Sequence, residues 1–336
     1  MAATDFLGSG GGPENAVGEE AGPAPPLGAV SLGGQAVNEG VMVRGDRWWA
    51  VAVRGPDEKV VVARREVPTR SGARRLPLVR GVLALVDSFT IGLAAIRLST
   101  ALARPRDRLP SRASMNLVLA GAVALNVALF VVLPGLASQQ LVGRASGHRV
   151  AFGLVDGAVR VGVFAAWLAG VRMTELGRRL FGWHGAEHQV IAAYEAGEAP
   201  GSRRFLGRAA TCSPRHPRCG TNFLFLVFVL VSVGDALVGG GGALVSLERL
   251  ALLPVTASIG YELMKLAGRR ARGVGDEVAG PGGLAGRLGH RALGLLAVPG
   301  LAAQYLTTAP PRPDQLEVAH LALLAALGQD IPGLVG

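Results

Sequence analysis

Residues 113–143 read ASMNLVLAGAVALNVALFVVLPGLASQQLVG, 31 residues without one charged side chain. A helix needs roughly 20 apolar residues to cross the hydrocarbon core of a bilayer. This run exceeds that length and so decides the class. The chain reads as a mainly α, polytopic helical membrane protein, and its nearest partner is the lipid bilayer.

Three further segments fit a four-span count. Val150–Val171 is apolar except for Asp156 and Arg160, which lie four apart and so share a helical face on which they can pair. Phe223–Val238 carries Asp235 and stops at the glycine run Gly239–Gly242. Leu244–Leu266 contains Glu248, Arg249, Pro254 and Gly260. An earlier helix, Leu78–Leu102, is interrupted by Arg80, Asp87 and Arg97, a pattern that suits an interfacial or partly buried amphipathic helix. Before it, Trp48–Val53 and Lys59–Ala63 are rich in β-branched and aromatic residues and flank the turn signal RGPDE, which predicts a β-hairpin. Near the C-terminus PDQLEVAHLALLAAL predicts a helix started by Pro313 and Asp314.

The chain therefore divides into a disordered tail (1–30), a small β element (31–70), an amphipathic helix with a basic linker (71–110) and two spans (111–176). A polar segment (177–222), two more spans (223–268) and a C-terminal segment with amphipathic helices (269–336) complete it.

Composition agrees. Half the residues are hydrophobic and only 17% are charged, below the ~25% of soluble domains, with a mean hydropathy of +0.38. The net charge of +10 raises nucleic acid as a partner. However, the arginines sit in short clusters between apolar runs and aromatics are only 5%, which fits the positive-inside rule and not a base-stacking surface. Nucleic acid is excluded on that ground. With both termini in the cytoplasm, the arginine clusters around residues 103–112, 172–218 and 265–272 all fall on the cytoplasmic side.

The polar segment carries the chemistry. Of six histidines and two cysteines in the whole chain, five lie between His184 and Cys219. FGWHGAEHQV (181–190) contains H-x-x-E-H: His184 and His188 are four apart on one helical face, with Glu187 between them. That spacing suits two imidazole ligands and a carboxylate able to take a proton from water. The third ligand is Glu262, His216 or Cys219. His184 follows the second span, His216 and Cys219 precede the third, and Glu262 ends the fourth, so one rim of the bundle gathers them all. The bland reading of HPRCG is a turn made by Pro217 and Gly220. Cys212 reads as an unengaged thiol; His148, His290 and His320 read as surface residues, and Asn126 as interhelical glue.

At GGQAVNEGVMVRG, LVRGVLALVDSFTIGLAAI, HGAEHQVIAAYEAGE, HPRCGTNFL, LLPVTASIGYELMKLAG and AVPGLAAQYLTT the chain resembles the YqhQ-like family of bacterial polytopic membrane proteins. The resemblance runs in order from Ser31 to Leu327. It implies a multi-pass membrane protein, labelled a metal-dependent enzyme of unknown function, and it covers His184, Glu187, His188, His216, Cys219 and Glu262 but not Cys212.

The expectation is a divalent metal, zinc by donor type, serving a membrane hydrolase with Glu187 as general base. The alternative is a non-catalytic scaffold or transporter-like component with a structural metal. An open coordination position favours the first and a closed His/Cys set the second.

Overall fold

The computed structural model describes residues 32–68, 79–104, 111–142, 149–238, 253–264, 298, 300–331 and 334–335. The expectations for the tail, for Gly239–Gly242, for His148 and His290 and for most of the basic linker lie outside these residues.

The sheet runs β1 (Gly33–Val37), β2 (Gly40–Arg44), β3 (Trp48–Arg54), β4 (Val60–Glu66) and β5 (Leu334–Val335), in that spatial order. The first four strands form an antiparallel meander, and β5 adds in parallel to β4 at Val62↔Leu334. The expected hairpin is β3–β4. The β1–β2 hairpin before it was not foreseen.

Alternation along these strands sends side chains to two buried faces. Val41, Val43, Ala50, Ala52 and Val62 face one core with α5 (Glu175–Glu195) and α10 (Pro313–Ala326). Met42, Trp49, Val51, Val53 and Ala63 face another, covered by Ile91, Ala95 and Leu98 of α1 (Val79–Ala103). The sheet is thus sandwiched, which is why its strands read as almost continuous apolar runs. The helix expected near the C-terminus is α10, and it forms part of the core: Val318, Ala319, Ala322 and Leu323 are fully buried.

The uncharged run forms α2 (Arg112–Val127), a π-helical stretch (Ala128–Val132) and α3 (Leu133–Val142). The π stretch ends two residues before Pro134, which has no N–H to offer a carbonyl one turn back. Leu117 and Leu141 are 74% and 71% exposed, so this helix shows apolar side chains outward as a lipid-facing helix does. It is followed by α4 (Arg149–Met173), the short α6 (Phe205–Thr211), α7 (Gly220–Val238), α8 (residues 253–264) and α9 (residues 300–307). Asp156 and Arg160 do pair, at 2.7 Å, inside α4. Asn126 instead donates to Ala122 O of its own helix, so it bonds within the helix and not across helices.

Among the described residues, four helices are long and apolar enough to cross a membrane: Val79–Ala103, Ala113–Val142, Arg149–Met173 and Gly220–Leu237. Three of these lie where spans were expected, and the fourth, α1, was expected to be an interfacial or partly buried helix. α1 qualifies by length and hydropathy, although its C-terminal half is docked on the sheet. Of the expected fourth span, only α8 lies among the described residues.

Candidate metal centre

The site is built where α4 hands over to α5. Thr174 caps α5, its hydroxyl accepting from Gly177 N at 3.0 Å, so the helix starts one residue after α4 ends. One face of α5 (Trp183, Ala186, Val190, Tyr194) enters the sheet core. The next face presents His184, Glu187 and His188.

Each imidazole is oriented through its Nδ1. His184 Nδ1–H donates to Thr307 O at 2.8 Å and His188 Nδ1–H to Pro214 O at 2.7 Å. Fixing the proton on Nδ1 leaves the Nε2 lone pair free in both rings, which is the tautomer a metal ligand needs. Close packing supplies these carbonyls. A Cβ on Gly185 would sit 2.0 Å from Ala309 O, so only glycine lets the 307–309 segment cross α5 here. The loop 212–219 is held by Gln189 Nε2 donating to Cys212 O (2.7 Å) and by Gln304, which accepts from His216 N (2.7 Å) and donates to His216 O (2.9 Å).

This loop delivers Cys219 to the N-terminus of α7, where Sγ accepts from Thr221 N at 3.4 Å and lies 3.3 Å from His184 Nε2. Ligand atoms of His184, His188 and Cys219 all lie within 4.8 Å of one another. Residues remote in sequence therefore meet as the two helix ends predicted. Two imidazole nitrogens and one thiol form a donor set that fits zinc.

His216 lines the same cleft, its ring centroid 5.8 Å from that of His188, but it is outside the three-donor cluster. His216 has both ring nitrogens occupied: Nε2–H donates to Glu195 Oε2 at 3.1 Å, and Nδ1 accepts from Arg218 N at 3.3 Å. Burial pushes its pKa down to about 4, so at neutral pH the contact with Glu195 is a hydrogen bond from a neutral ring. Glu262 is not in the cluster; Arg80 takes its carboxylate in a two-point ion pair, a stronger claim than a distant metal makes. Cys212 is a free thiol, and no disulfide joins it to Cys219. His320 is half-buried and not a surface residue: it stacks on Phe205 at 4.7 Å and bonds Pro200 O.

Glu195 escaped sequence reading. It clamps Arg218 and His216 together at the rim. The signal was present, because 184, 188, 191 and 195 follow the i, i+4, i+7, i+11 spacing of a single helical stripe. Gln304 gave no such signal.

Electrostatics follow from burial. Desolvation pushes Glu187 up to about 8, against the pull of His184 and with added push from Cys219. It holds His188 down to about 3, with His184 adding to the effect. It also raises the Cys219 thiol, while the Thr221 contacts and the helix N-terminus pull the other way. Glu187 Oε2 lies 3.5 Å from His188 Nε2, and β1 closes over it. A Cβ on Gly34 would meet Glu187 Oε1 at 2.3 Å and Cγ at 2.6 Å, so the strand passes with no room for a side chain. A cleft of about 420 Å³ opens from the cluster, lined by Gly34, Gln35, Glu187, Arg218, Gly220 and Thr221 among others.

The chain is similar to "Uncharacterized protein YqhQ" of Bacillus subtilis (strain 168), 27% identical over 306 residues that cover 86% of this chain and 90% of that protein. No solved structure gives a significant match. Residues 76–291 match the family described as "Protein of unknown function (DUF1385)", a span that includes every member of the His184/His188/Cys219 cluster. By that match, over more than half of its length, the chain belongs to the DUF1385 family.

Proposed function

We propose that the protein is a zinc-dependent hydrolase working at the cytoplasmic face of the cell membrane. His184, His188 and Cys219 hold the metal and Glu187 is the general base. The observation that carries this reading is the paired tautomer lock. Both histidines spend Nδ1–H on backbone carbonyls, which leaves Nε2 of His184 beside the Cys219 thiol and Nε2 of His188 beside Glu187. Histidines that merely filled a core would not need both rings set the same way around one thiol.

A bound zinc ion would supply Lewis acidity towards the electrophilic group of the substrate. The chain's own residues do the rest. As a carboxylate, the form that a cation held by His184, His188 and Cys219 would favour, Glu187 would accept a proton from the attacking water and pass it to the leaving group. Arg218, fixed by Glu195 beside the cleft, offers a positive charge to an anionic part of the substrate. The β1 backbone at Gly34 keeps Glu187 away from bulk water.

Three clustered donors with an open cleft beside them favour a hydrolase over the scaffold alternative, which needs a closed four-ligand set. The variant Glu187→Gln separates the two. It should retain bound metal, because the ligands are untouched, yet fail to restore function to a deletion strain. Full complementation by Glu187→Gln would favour a structural metal site instead.

A further inference from the structure

A second cleft, of about 450 Å³, lies among the four helices long enough to cross a membrane, and its wall is almost entirely apolar. Phe89 and Leu93 of α1, Leu119 and Val123 of α2, and Leu224 and Phe228 of α7 line it. Its charged lining residue, Arg160, is held by Asp156 at 2.7 Å. The volume falls within the roughly 300–1,000 Å³ of ligand cavities.

No residue lines both this cleft and the metal cleft, but neighbouring positions on two helices bring them close. On α7, Gly220 and Thr221 line the polar cleft and Leu224, Phe228 and Val231 line the apolar one. Steps of three and four residues put all five on one helical stripe, with Thr221 and Leu224 only about 4.5 Å apart along the axis. On the opposite wall, Gln35 of the polar cleft donates through Nε2 to Gly92 O at 3.3 Å, and the next residue, Leu93, lines the apolar cleft. Phe89 is 57% exposed, so the apolar cleft is open towards the surface that α1 shows.

We propose that the substrate is an amphiphile whose hydrocarbon chain lies in the apolar cleft while its polar head reaches the His184/His188/Cys219 cluster. The head-group half of this proposal rests on the hydrolase reading above. The chain half rests on the nearness of the two clefts along α7, where Thr221 lines one and Leu224 the other. A soluble substrate would need only the polar cleft, whereas an amphiphile would use both a polar, Arg218-bearing cleft and the apolar one beside it between the apolar helices. The scissile bond then lies at the junction of head and chain, near Thr221.

The probe is palmitoyl hydroxamate carrying a photoreactive diazirine at mid-chain, offered to the full-length, zinc-loaded protein in phospholipid nanodiscs. Acetohydroxamate serves as the chainless control. Cross-links should map to residues 119–131 and 224–231, and labelling should fall about tenfold, equivalent to ~1.4 kcal/mol, in Leu224→Trp. Val123→Trp fills the cleft from the other wall and should do the same. Both variants should keep their zinc and bind acetohydroxamate as the wild type does. Labelling confined to outward residues such as Leu117 and Leu141, or unchanged in both tryptophan variants, would overturn the proposal. Failure of acetohydroxamate to bind the zinc-loaded wild type would overturn the metal-centre reading beneath it, a separate and distinguishable failure.

Discussion

Glu187 is a carboxyl group buried beside His184, His188 and the Cys219 thiol, so its protonation is tied to the stability of the metal-free protein. Its pKa rises from the ordinary 4.5 when unfolded to about 8 when folded. A raised folded value means that the contribution to stability is fully present below about pH 4.5 and is lost as pH climbs through 8. The loss is on the order of a few kcal/mol for a fully buried group. Glu187→Gln carries no proton to lose. Metal-free wild type and variant should therefore melt alike at pH 5 in detergent, and the variant should be the more stable at pH 8.5. His188, held neutral, contributes in the opposite sense, losing stability as pH falls from 6.5 towards 3, but it is common to both proteins and cancels. Parallel melting curves at the two pH values would show that the Glu187 carboxyl is not desolvated.

Among the elements, α4 carries a deeply buried ion pair. Asp156 and Arg160, 0% and 2% exposed, face each other within an apolar helix. Removing one partner of a buried ion pair typically costs 3–5 kcal/mol, whereas removing both is far cheaper. Arg160→Met should accordingly destabilise the protein by about 3–5 kcal/mol, and Asp156→Leu in the same chain should recover most of that. Thermal unfolding of the single and double variants in nanodiscs would check it; additive losses would mean that the two side chains do not act as a pair.

Elements with a local cause were legible in the sequence. The uncharged 113–143 run outlasts a bilayer, and RGPDE sits between two β-rich stretches. The β1–β2 hairpin was not legible, because its turn places Glu39, and not glycine, at positive φ (54°), and its first strand opens on two glycines. β5 is two residues long and exists only through pairing with β4. At the site, His184 and His188 followed from helical spacing, and Cys219 from its place before α7. Glu262 was misplaced because its partner Arg80 lies 182 residues away, on a helix whose contacts the sequence does not reveal. The carbonyls of Thr307 and Pro214, which set both imidazoles, belong to the backbone and leave no mark on residue type.

For the whole molecule, the proposal sets the sheet, α5 and the cluster together on the cytoplasmic side, at the end of the bundle where α4 finishes and α7 begins. Arg203 is exposed on that side. A cysteine placed there, in a Cys212→Ser background, should react with a membrane-impermeant maleimide in inside-out vesicles and not in intact cells. Labelling in intact cells would invert the orientation and put the thiol of Cys219 in an oxidising compartment. The claim beneath all of this is that three residues from two helix ends hold one metal ion, and metal analysis of the purified protein tests it most directly. Wild-type protein should carry close to one equivalent of zinc per chain, and His188→Ala and Cys219→Ala should each lose it, while Glu262→Ala and His216→Ala retain it. Wild type purified without metal that takes up none on titration, or His188→Ala binding zinc as wild type does, would contradict the account.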